Sequence, residues 1–136
     1  MTMERYARIV VGYHGGEQQF ALKLLTGELA ISDWNPSDNA FAWLGKGIYF
    51  WEYAEVRAWR WAVDKAKKKG NGWKPAVIGA LIQLARCLDF TDEKDTRLLG
   101  DAYAQVGSAL AAAGQPMPEN KGRDDDLKAR HRDCLV

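Results

Sequence analysis

The chain has 136 residues, which fits a single domain, and 47% of them are apolar, six of them tryptophan. That share is ample for one core and argues against disorder throughout. Nineteen Lys and Arg against 18 Asp and Glu leave a net charge of +1, so no whole-protein field draws it to nucleic acid or membrane, although local patches remain open.

The N-terminus lacks an apolar core of signal-peptide length, and no run approaches a membrane span. A cytoplasmic protein is expected, acting in its own cell or in one into which it is delivered. Ile9-Val10-Val11 reads as a strand that delivers His14 at its end. From Glu17 to Leu25 the positions of Phe20, Leu24 and Leu25 predict a short amphipathic helix that Gly27 stops. Ile31 to Trp43 is a loop of turn formers that also holds Trp34, Phe41 and Trp43. Such aromatic area either packs on the core or lines a site, and packing is the expectation for Trp34 and Trp43.

Gly47 to Trp51 is read as a strand. Tyr53 to Lys69 is a helix with an apolar stripe of Val56, Ala58, Trp59, Ala62, Val63 and Ala66. Its Lys67-Lys68-Lys69 end suits the helix dipole and otherwise reads as a solvated face. After Pro75, the run Ala76 to Leu84 has buried-strand character. Thr91 is the expected N-cap of a helix from about Asp92 to Ala113, interrupted at Gly100 and Gly107. Residues 1–116 then form one domain, and 117–136 a charged tail or partly ordered helix with Asp124-Asp125-Asp126 and His131. Cys87 and Cys134 have no metal or redox spacing and are expected as reduced thiols. No metal site is predicted.

The most informative residues are Gly12-Tyr13-His14-Gly15 and Gly45-Lys46-Gly47-Ile48-Tyr49-Phe50. Strands ending in these would line a cleft with one imidazole and one flat ring, a pairing suited to a nicotinamide ribose. Glycines stand where a ligand would approach the backbone. The spacing lacks the third glycine and the following helix of a Rossmann phosphate turn.

These two motifs, in this order, resemble the ADP-ribosyltransferase superfamily, in the branch that contains diphtheria-type toxins and poly(ADP-ribose) polymerases. The likeness covers about Ile9 to Ala62 and extends loosely through Val77–Ile82. It implies an α+β fold with a split β-sheet core and flanking helices, a core that the lack of a late glutamate-bearing strand would leave incomplete on its C-terminal side. It implies NAD as substrate, with His14 on the ribose, the Gly15 backbone on the carboxamide, and Tyr49 against the ring. A cationic ring favours an aromatic face. In such enzymes the glycosidic bond loosens toward an oxocarbenium-like ion that a carboxylate stabilises. Lys46 is read as a solvated turn residue, with phosphate contact as the alternative.

Two departures stand out. Where polymerases of this branch place a second stacking tyrosine, this chain has Arg60 between Trp59 and Trp61, so Trp59 is the substitute stacking residue. No late strand carries a glutamate, which leaves Glu52 as the candidate carboxylate. The resemblance thus implies a toxin- or effector-type transferase modifying a protein or nucleic acid, and makes an antitoxin or immunity protein a possible partner. The alternatives are an inactive or truncated nucleotide- or partner-binding module, an NAD glycohydrolase, and an interaction domain with an accidental motif. An exposed sheet edge would favour a homodimer.

Overall fold

The computed structural model of the chain describes residues 5–37 and 44–119. Phe41, Trp43, Asp124, Asp125, Asp126, His131 and Cys134 lie outside them, as does the expected tail beyond Glu119. The class is α+β, with a three-stranded antiparallel sheet in the order β2-β1-β3. Strand β1 runs from Arg5 to Glu17, β2 spans Trp51–Glu52, and β3 spans Pro75–Arg86. Among the described residues, helices α1 (Gln18–Thr26), α2 (Glu55–Lys69) and α3 (Glu93–Ala112) complete the elements, with a 3-10 turn at Ile31–Asp33.

The chain divides into two compact units. One comprises Met1–Asn35 and Tyr49–Cys87, the other Pro36–Ile48 and Leu88–Val136. In the first unit, β1 is the central strand, with Ile9, Val10 and Val11 suited to a pleated ladder, and it pairs with β3 from Arg8↔Leu84 to Glu17↔Pro75. His14 is therefore not at the strand's end: β1 continues through Gly15 and Gly16 to Glu17, and α1 begins at the next residue. Helix α1 closes as expected on Gly27, which adopts the left-handed conformation at φ 75°.

Side chains alternate across β1. A Cβ on Gly15 would meet the Ala58 carbonyl oxygen at 2.1 Å and Ala62 at 3.3 Å, so α2 packs on that face. On the other face, a Cβ on Gly12 would meet Ile82 and Phe50, and one on Gly16 would meet the His14 ring. Val10, Ala58 and Ala62 are the buried apolar side chains among the described residues. This corrects the expected stripe of α2. Val56 and Trp59 are exposed, by 63% and 47%, because so close an approach to Gly15 seats the helix on its alanine ridge.

Three further expectations are revised. The strand predicted over Gly47–Trp51 is only Trp51–Glu52. Gly47 instead forms an isolated bridge to Ser37 in the second unit, after Gly45 turns the chain at φ 80°. Helix α3 runs through Gly100 and Gly107 without interruption. Its N-cap is Asp92, whose carboxylate accepts the Lys94 N–H at 2.9 Å, and not Thr91. Thr91 is engaged elsewhere, donating its hydroxyl to Asp89 at 2.6 Å and its N–H to the same oxygen.

Candidate functional site

The site is built on the face of β1 that carries Gly12, His14 and Gly16. His14 Nδ1 donates to the Tyr49 carbonyl at 2.8 Å, across 35 positions of sequence. A carbonyl only accepts, so Nδ1 carries the proton. Burial lowers the His14 pKa below the ordinary imidazole value, the bond to Tyr49 raises it less, and the Lys65 charge lowers it further. The ring is thus neutral at pH 7, and its Nε2 has an unshared pair. Gly16 keeps space beside that atom, since a Cβ there would lie 3.3 Å from Nε2.

Gly15 supplies a second feature. The Tyr53 N–H bonds the Val11 carbonyl, which directs the polar backbone groups of Val11, Tyr13 and Gly15 toward β2. The register that sets Tyr13 opposite Trp51 would set Gly15 opposite Tyr49. The ladder ends before that point, and the Tyr49 carbonyl accepts the His14 Nδ1–H instead. Among the described residues the Gly15 N–H and C=O then have no β2 partner, and side by side they form a donor and acceptor pair that matches a primary amide.

No family model, curated protein or solved structure matches the chain. The chemistry open to this face follows from its own atoms: one neutral imidazole acceptor, one backbone donor–acceptor pair and a wall of rings. Two of those rings were not foreseen as site residues. Trp34 stands edge-on to His14 at 4.7 Å between centroids, and Phe50 lies at 5.7 Å. Trp34 also meets Phe20 of α1 at 5.3 Å and Phe50 at 5.7 Å. The expected packing role of Trp34 is met, but what it packs against is the histidine. A signal existed in the sequence, an aromatic inside a run of turn formers, but no periodicity said which face it would cover.

The remaining candidates are placed unevenly. Tyr49 is half-buried and reaches His14 through its backbone carbonyl. Glu52 is exposed, opposite Gly12 on β2, so it shares the His14 face of the sheet. Trp59 belongs to α2, which covers the opposite face, and is not brought together with His14. Lys46 is exposed within the second unit.

Proposed function

We propose that the chain is an NAD-binding protein of ADP-ribosyltransferase type, a toxin or effector that transfers ADP-ribose to a protein or nucleic-acid acceptor. The bond from His14 Nδ1 to the Tyr49 carbonyl carries this reading, because it ties together the two motifs on which the resemblance rests. The Nε2 atom accepts a ribose hydroxyl, and the Gly15 N–H and C=O take the carboxamide. Tyr49 supplies the flat ring for the pyridinium. In the reaction, the bond between the ribose carbon and the ring nitrogen breaks, its electron pair leaves with nicotinamide, and the acceptor bonds that carbon and loses a proton. Glu52 is the carboxylate on this face to offset the developing positive charge and receive that proton.

One observation favours a second reading, a nucleotide-binding module without the chemistry. Among the described residues no strand follows β3, so Glu52, exposed at the sheet edge, has no carboxylate on a later strand to support it. Calorimetry with NAD tests the cleft: His14→Ala and Tyr49→Ala are each expected to weaken binding at least tenfold. Unchanged affinity in both would reject it. Nicotinamide release that Glu52→Gln abolishes marks a catalyst, and binding without release marks the module. Affinity is flat above the ordinary imidazole pKa and falls as the pH drops through the lowered His14 value, because protonated Nε2 no longer accepts.

A further inference from the structure

The outer surface of α2 is not used by the site on β1. Its 15 residues hold six Lys and Arg against Glu55 and Asp64, although the whole chain is nearly neutral at 19 against 18. The buried residues of α2 are Ala58 and Ala62, which lie against Gly15 of the sheet. At 3.6 residues per turn, Arg60 and Lys67 then fall on the far side of the helix. Trp59 lies on one flank of them, and Trp61, with Arg57 beside it, on the other. Trp59 is 47% exposed and Trp61 39%. Trp61 is steadied by Trp51, with ring centroids 5.7 Å apart. Among the described residues, Arg57 and Arg60 have no ion-pair partner, and Lys67 has only an exposed contact with Asp64 at 3.7 Å, a type of pair worth little.

We propose that this face of α2 binds single-stranded nucleic acid, with Trp59 as a stacking surface for bases and Arg57, Arg60 and Lys67 holding phosphates. Flat rings interleaved with cations suit a strand whose bases and phosphates alternate. A membrane-surface helix needs a continuous apolar face opposite its charges, and the apolar face of α2 is already spent on β1. The binding stands on α2 alone. Its role, bringing a nucleic-acid acceptor to the enzyme, rests on the transferase reading above.

The test is fluorescence anisotropy of a labelled twelve-residue oligothymidylate with the full chain at about 50 mM salt and without NAD. Saturable binding is expected, weakening with salt at a log–log slope of about −2, since each phosphate contact on a single strand contributes about −0.7. The charge reversal Arg57→Glu/Arg60→Glu is expected to weaken it at least tenfold. Trp59→Ala is expected to weaken it about tenfold, the size of one stacked base. All three positions are exposed, and circular dichroism confirms that the variants fold. No binding at 50 mM salt, or binding indifferent to the charge reversal, overturns the proposal. So does attachment to vesicles of anionic lipid without oligonucleotide binding. NAD binding lost by His14→Ala while oligonucleotide binding persists separates the two sites. Failure to bind NAD at all would remove the transferase role and leave the α2 face standing.

Discussion

Gly15 faces α2 so closely that a Cβ would lie 2.1 Å from the carbonyl oxygen of Ala58. That oxygen belongs to the helix backbone, so relief requires α2 to move as a body. Gly15→Ala is therefore expected to destabilise the protein by about 2 kcal/mol or more, in the range of overpacked cores. Urea unfolding reads this directly, and an unchanged midpoint would contradict the close helix–strand contact. The same residue presents its N–H and C=O where β2 stops, so one glycine serves packing and the site together. The sequence marks it, because His14-Gly15 precedes Gly45 to Phe50 in the order that carries the resemblance. The enclosure of His14 by Trp34 and Phe50 was not legible. It depends on where the segment after α1 folds back, and turn formers state that a chain bends without saying what it covers.

Among the elements, those with strong periodicity or clear punctuation were legible within about two residues. Helix α1 ends at Thr26 before Gly27, α2 at Lys69 before Gly70, and α3 spans Glu93–Ala112. The short β2 was not, since two residues have no period. It stops short of Tyr49, whose carbonyl bonds the His14 ring, a tertiary contact. At the start of α3, Thr91 and Asp92 both have N-cap chemistry, and their order in the turn decided between them. Asp89 takes the Thr91 hydroxyl and N–H, while buried Asp95 takes the Asp89 N–H at 2.7 Å. Asp92 is thereby left to cap the helix. Asp92→Ala is expected to cost about 1 kcal/mol and Thr91→Ala less. Thermal unfolding followed by circular dichroism compares the two, and the reverse ranking would return the cap to Thr91.

For the whole molecule, composition and motif order led to the α+β class, while the division into two units was not anticipated. The chain leaves the first unit at Pro36 and re-enters it at Tyr49. The hexapeptide that looks continuous in sequence is thus shared, with Gly45 to Ile48 in one unit and Tyr49-Phe50 in the other. Pro36 lies in a run of turn formers, but the boundary before Tyr49 falls inside the strand expected over Gly47–Trp51, because membership of a unit depends on long-range contacts. Net charge was equally silent about place: a balance of +1 conceals a basic helix. The described elements include no helix long and apolar enough to cross a membrane.

In the proposed function His14, neutral and fixed through Nδ1, presents Nε2 to NAD. The chain has two histidines, His14 and His131, so nuclear magnetic resonance of protein labelled at histidine reads two rings, assigned with His14→Gln. The His14 ring is expected to titrate below about 6.5, the ordinary imidazole value. Its Nε2 signal is expected to move along a saturable curve as NAD is added while the Nδ1 proton persists. A His14 ring that stays unmoved at NAD concentrations saturating any binding seen by calorimetry would contradict it.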